Sequence, residues 1–184
     1  SVRIKYVCST DKKSFDKIRN VFIKLDDYRK LFQYKDIDGI IIATPAYTHF
    51  NISKDLLLKG YNILIEKPFT TNYKDAVTLK EIHESINSVV MVAHIYLYNP
   101  AFIKTCKLLK NIGEIKYLEC EGSNWGPIRK DVSALWDWAP HDISMCLEIL
   151  KEDPLEIQAW GVNVLKPLKK NVFDTVCIRL GFSH

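Results

Sequence analysis

Glycine is scarce and late in this sequence: 7 occur in 184 residues, and the first is Gly39. A Gly-rich turn that cradles phosphate against a helix N-terminus therefore has no place before that position. Cysteine is present but unpatterned. Cys8, Cys106, Cys120, Cys146 and Cys177 form an odd set without a CxxC pair, which argues against a disulfide framework or a zinc ribbon. Most fall in predicted strands or apolar helix faces, the setting of reduced core thiols in a cytoplasmic protein. No metal site is expected. No apolar run approaches the roughly 20 residues that span a bilayer, and the basic opening Val2–Lys5 lacks the apolar core of a signal peptide, so no membrane partner is expected. Charge is equally unpolarised. The net value is +4, with no Lys/Arg block, which speaks against nucleic acid and leaves mild attraction for anionic ligands. Repeats, linkers and low-complexity segments are absent. What remains is an ordinary composition, 47% hydrophobic and 26% charged, suited to one or two small domains.

The most informative stretch runs from Asp38 to Pro68. Gly39–Ala43 is an uninterrupted apolar run, the pattern of a strand buried on both faces of a parallel sheet. Thr44-Pro45 breaks it. A helix then carries Ile52, Leu56 and Leu57 on one face until Gly60 stops it. Asn62–Ile65 is a second buried strand, ending at Glu66-Lys67-Pro68. Together these make one βαβ crossover, with Thr44, Pro45 and Glu66–Pro68 at strand C-terminal ends, the edge where open α/β sheets bind ligands.

Elsewhere strand and helix alternate. Val2–Cys8 reads as a strand, Lys12–Asn20 as a short helix and Val21–Ile23 as a brief strand. Asp26 is placed to cap a helix through Tyr34. Thr71 or Asn72 starts a long helix with Leu79, Ile82, His83 and Ile86 inward, followed by strand Val89–His94. Asn99-Pro100 is an N-cap and N1 pair, opening a helix whose stripe is Phe102, Ile103, Cys106 and Leu109 before Gly113. From Ile115 the character changes. Ile115–Trp125, Leu155–Val164 and Phe173–Phe182 read as long strands of an open, largely antiparallel sheet, with a helix from Pro140 to Leu150 between the first two. The expected organisation is an α/β Rossmann-type parallel sheet over residues 1–98, followed by an α+β domain over residues 99–184.

Three motifs in order carry a resemblance. A strand ending in Ala43-Thr44-Pro45 has His49 four residues beyond the Pro, and the next strand ends in Glu66-Lys67-Pro68. Farther on, Trp136-Asp137-Trp138-Ala139-Pro140-His141-Asp142 holds an Asp-x-x-x-His. With Val92–His94 through Tyr98-Asn99-Pro100 as the interdomain junction, nearly the whole chain resembles the glucose–fructose oxidoreductase/inositol dehydrogenase family. The resemblance implies a cofactor, NAD or NADP with NAD favoured, and a hydride transfer to or from a secondary hydroxyl of a sugar. The run Leu135–Ser144 is similar to the branch acting on sugars attached to nucleotides. Val2–Cys8 then corresponds to the family's second strand, so the first βα unit, with its glycine turn, is expected to be missing and the chain to be an internal piece of a longer oxidoreductase. The resemblance also implies a cis Lys67–Pro68 bond, and the broad open sheet leads to an expectation of self-association.

Alcohol oxidation by a nicotinamide needs a base for the hydroxyl proton and a donor for the developing alkoxide. Lys67 fits the second role. His141, in the first turn of a helix opened by Pro140, fits the first, because the helix dipole favours its neutral form. Asp137 is positioned to orient that imidazole or to bond the substrate. Thr44, Pro45, His49, Glu66, Lys67 and Pro68 fall where the family contacts the dinucleotide. Ser9 sits where dinucleotide folds carry an acid for the ribose diol; a serine cannot repel a 2′-phosphate, and Lys12 and Lys13 are close. His94, Tyr96, Trp138 and Arg129 are candidates for the substrate side, each also readable as core or surface. His83 reads as core. The alternative from another class is a non-catalytic dinucleotide-binding regulator or scaffold, against which the retention of Lys67, Asp137 and His141 counts.

Overall fold

A computed structural model describes residues 2–11, 13, 15, 23–126, 132–164 and 172–183. Two short parallel sheets form the first half. Strands β1 (Tyr6–Cys8) and β2 (Ile23–Leu25) pair with each other. Strand β3 (Ile40–Ile42) leads through a 3-10 turn at Ala46–Thr48 into helix α1 (His49–Leu57) and back to β4 (Ile63–Ile65). Helix α2 (Tyr73–Ser85) then returns to β5 (Val90–Val92), so that the second sheet has the order β3-β4-β5, all parallel.

Local chemistry places the turns. Gly60 ends the α1 hairpin at φ +80°, a left-handed conformation that a Cβ would strain. The Asn72 side chain caps α2 by accepting from the Lys74 amide at 2.8 Å. Ile42, Leu56, Leu57, Ile63, Ile65 and Leu79 form one buried cluster between the second sheet and the two helices. Each such aliphatic side chain contributes about 1.5–3 kcal/mol when fully buried. This core holds the C-terminal ends of β3 and β4 side by side.

The second half begins with a 3-10 turn, Ile95–Tyr98, and helix α3 (Pro100–Leu109), capped by the Asn99 side chain with Pro100 in its first turn. A short helix α4 (Ala134–Asp137) abuts α5 (Ala139–Leu150). Strands β6 (Glu156–Val162) and β7 (Thr175–Gly181) pair antiparallel over seven residues each. The fold is thus a Rossmann-like parallel layer followed by a small antiparallel sheet.

Several expectations need correction. Strand β3 is not buried on both faces: Ile41 is 60% exposed, because the described elements cover one face of this sheet only. The 3-10 turn Tyr28–Gln33 replaces the helix expected after Asp26. Asp27 caps it, while Asp26 is held by Lys30 at 2.5 Å instead. Residues Ile115–Trp125 form no strand, since no neighbouring chain supplies the ladder bonds that define one. The expected strand at Val89–His94 is three residues long, and His94 already caps the following 3-10 turn. The expected helix Lys12–Asn20, and all but Ile23 of the strand Val21–Ile23, lie mostly outside the described residues.

Candidate functional site

Lys67 closes β4, and its peptide bond to Pro68 is cis. Its Nζ donates to the Asp137 backbone oxygen at 2.5 Å and to Asp137 Oδ1 at 2.8 Å. Both side chains are largely buried, at 20% and 24% exposure. This ion pair spans 70 residues and ties the end of β4 to the α4–α5 junction. An ammonium has three N–H donors. Two serve Asp137 and one remains.

Lys67 lines a cavity of about 130 Å³ together with Tyr96, Asn124, Asp137, Trp138 and His141. His141 enters it from the first turn of α5, where its amide donates to Trp138 O at 3.0 Å. The Tyr96 ring stands edge-on to the imidazole, with centroids 4.9 Å apart. His141 Nδ1 is buried and without a hydrogen-bond partner among the described residues. Burial, and then the Lys67 ammonium, push this imidazole below its ordinary range.

His94, at the end of β5, adds a second buried Nδ1 without a partner. Burial, and then the nearby His141, push it down as well. The sign of the linkage is therefore fixed. Unfolded imidazoles, near 6.5, bind protons before the folded ones do. Stability from this pair is fully present above about pH 6.5 and is lost as pH falls through the lowered folded values. We expect the urea midpoint to drop between about pH 7 and pH 5, and His94→Gln to flatten that drop. A midpoint equally pH-dependent in both proteins would show that His94 is not held neutral.

The other predicted residues divide. Thr44, Pro45 and Glu66 are exposed at the ends of β3 and β4, whereas Pro68 is buried. Thr48 Oγ1 donates to Pro45 O at 2.7 Å, so the Thr44 hydroxyl must donate to Thr48 across 2.7 Å. Thr44 Oγ1 keeps its lone pairs for an incoming donor. His49 is 1% exposed. Its Nδ1 and Nε2 lie 2.8 Å from Pro68 O and 2.9 Å from Thr44 O. It braces the two strand ends and leaves no ring edge bare for a ligand. Ser9 ends β1 in the other sheet, where its hydroxyl accepts from the Asp11 amide at 3.1 Å. Arg129 and Lys12 lie outside the described residues. His83 is partly buried on α2, as a core residue would be. Asn124 was not singled out from the sequence. It fell inside the expected strand Ile115–Trp125, and no motif marked it.

These geometries match a known class. The Gfo/Idh/MocA profile, described as an oxidoreductase family with an NAD-binding Rossmann fold, matches residues 2–94. The chain belongs to that family. Among curated proteins, it is 29% identical over 130 residues to a UDP-N-acetylglucosamine 3-dehydrogenase of Acidithiobacillus ferrooxidans, covering 69% of this chain and 40% of that protein. It is 23% identical over 131 residues to an inositol 2-dehydrogenase of Rhizobium meliloti, covering 67% and 40%. A candidate oxidoreductase solved from Magnetospirillum magnetotacticum superposes at TM-score 0.86 with 29% identity, over 97% of this chain and 58% of that one. The NAD complex of GenD2 from gentamicin A biosynthesis shares the fold at TM-score 0.80 and 19% identity, over 98% and 55%. The chain spans about two fifths of the length of these two curated relatives. No helix of the described residues is long and apolar enough to cross a membrane.

Proposed function

We propose that this chain carries the catalytic face of a nicotinamide-dependent oxidoreductase that moves a hydride between NAD(P) and a secondary hydroxyl of a sugar or nucleotide-sugar. One observation carries the reading: Lys67, fixed by Asp137, and His141, whose affinity for a proton burial lowers, line the same small cavity. A binding module needs no such proton-transfer set.

The donor set suits the cofactor. Thr44 Oγ1 is an exposed acceptor at the end of β3, beside Pro45, and Glu66 and Lys67 stand at the end of β4. That is the edge where an open α/β sheet receives a dinucleotide. When bound there, the nicotinamide supplies the hydride acceptor. The rest is work for the protein. Lys67 directs its third N–H at the substrate oxygen and stabilises negative charge as it develops. Asp137 fixes the direction of that N–H. A neutral imidazole has one bare nitrogen, and His141 takes the hydroxyl proton there. Tyr96 and Trp138 offer ring faces on which a sugar can rest, with Asn124 as a polar contact. Ser9 places no carboxylate against a 2′-phosphate, so both dinucleotides are candidates and NAD is favoured by the relatives. The chain is divided at residue 98 between cofactor and substrate parts. Trp160 and Val162, on one face of β6 at 57% and 50% exposure, support self-association through the open sheet.

The test is direct. The protein in its full natural length is incubated with NAD or NADP and with a panel of inositols, free sugars and UDP-linked sugars. Appearance of reduced nicotinamide with a sugar or nucleotide-sugar is the expected result. Dinucleotide binding without reduction by any polyol would favour the regulator reading.

A further inference from the structure

Two cysteines that play no part in this chemistry lie in contact. Cys120 Sγ and Cys146 Sγ are 3.8 Å apart, both as free thiols. Cys146 is on α5, the helix that brings His141 to the cavity. Cys120 is exposed, in the stretch 113–126 that is neither helix nor strand. The same stretch presses on α5 again at Gly122, where a Cβ would stand 3.3 Å from Trp138 Cε3 and 3.5 Å from Asp142 Oδ2. It then delivers Asn124 to the cavity wall.

We propose that Cys120 and Cys146 are a reversible disulfide site, oxidised by small-molecule disulfides, that pins the cavity wall at Asn124 to the helix bearing His141. A bonded pair stands about 2.05 Å apart, so the sulfurs need approach by less than 2 Å. The irregular backbone around Cys120 accommodates that more easily than a strand would. Chemistry orders the steps. Exposed Cys120, as thiolate, attacks a disulfide such as oxidised glutathione, forming a mixed disulfide and releasing one glutathione thiol. Cys146, as thiolate, then attacks the Cys120 sulfur and displaces the second glutathione thiol, which takes up the proton. Two protein thiols are oxidised and one glutathione disulfide is reduced. Burial, the first cause and the one that persists once Cys120 carries glutathione, pushes the Cys146 thiol up. Ring closure therefore speeds about tenfold per pH unit through the neutral range, as the thiolate fraction grows.

The full natural protein is equilibrated in glutathione redox buffers, quenched with acid and mapped without reduction. A Cys120–Cys146 linked peptide, lost on adding a dithiol and forming faster at higher pH, is expected. Cys146→Ser should stop at a glutathione adduct on Cys120, and Cys146→Ala provides a second variant should the serine disturb the fold. A stable Cys120 adduct in the unmodified protein would overturn the proposal. So would cross-links to Cys8, Cys106 or Cys177, or no reaction under buffers that oxidise the urea-unfolded chain. These readouts count thiols alone, so they stand or fall apart from the proposed hydride transfer.

Discussion

Replacing Lys67 by alanine is expected to lower kcat of the active polypeptide by about two to four orders of magnitude, the scale of losing an alkoxide-stabilising or proton-transfer group. The ammonium has one N–H left after bonding two Asp137 oxygens at 2.5 and 2.8 Å, and Lys67 lines the cavity it shares with His141. Truncation removes the donor and takes the Lys67 ammonium away from a largely buried carboxylate. It also removes a positive neighbour that pushes the His141 imidazole down, so the pKa of His141 should rise in the variant. Two measurements separate the roles. Turnover reads the lost donor, and a proton NMR titration of His141 reads the lost charge. Near-normal turnover would show that Lys67 is not catalytic. An unmoved imidazole pKa would show that the two groups do not share a site.

What could be read in advance follows the range of the interactions involved. The α1 hairpin was legible because its signals are local: a Thr-Pro break, an apolar stripe and Gly60 in the left-handed region. The Asn72 and Asn99-Pro100 caps are equally local, each one side chain accepting from an amide two residues on. Residues 115–125 were misjudged for the opposite reason. Alternating apolar residues suit a strand, but a strand exists only where a neighbour supplies the ladder, and that neighbour lies outside local sequence. The core face of β3 was readable, whereas the exposure of Ile41 depends on which elements cover the sheet. Lys67, Asp137 and His141 were found through motif resemblance. Nothing in their spacing forecast that Lys67 would grip the backbone oxygen and Oδ1 of a residue 70 positions away. Asn124 escaped because a lone Asn in a loop carries no pattern. His49 was assigned to the cofactor by position, and its burial between Thr44 O and Pro68 O gives it a bracing role that sequence alone could not distinguish.

His141→Asn should also cost about two to four orders of magnitude in kcat, while leaving dinucleotide affinity nearly unchanged. Asparagine approximates the size and polarity of the ring but has no nitrogen that takes a proton near neutral pH. The residue it replaces stands in the first turn of α5, across the cavity from Lys67 and against the Tyr96 ring, whereas Thr44, Pro45 and Glu66 lie at the ends of β3 and β4. Loss of the base should therefore fall on the chemical step. The pH profile sharpens the expectation. Burial and Lys67 hold His141 below the ordinary imidazole range, so the acid limb of kcat/KM for alcohol oxidation should lie below about pH 6.5 and disappear in the variant. Single-turnover kinetics with saturating cofactor, beside a fluorescence titration of the dinucleotide, provide both numbers. If dinucleotide binding collapses while single-turnover chemistry survives, His141 belongs to the cofactor side and the division of the chain between cofactor and substrate parts is wrong.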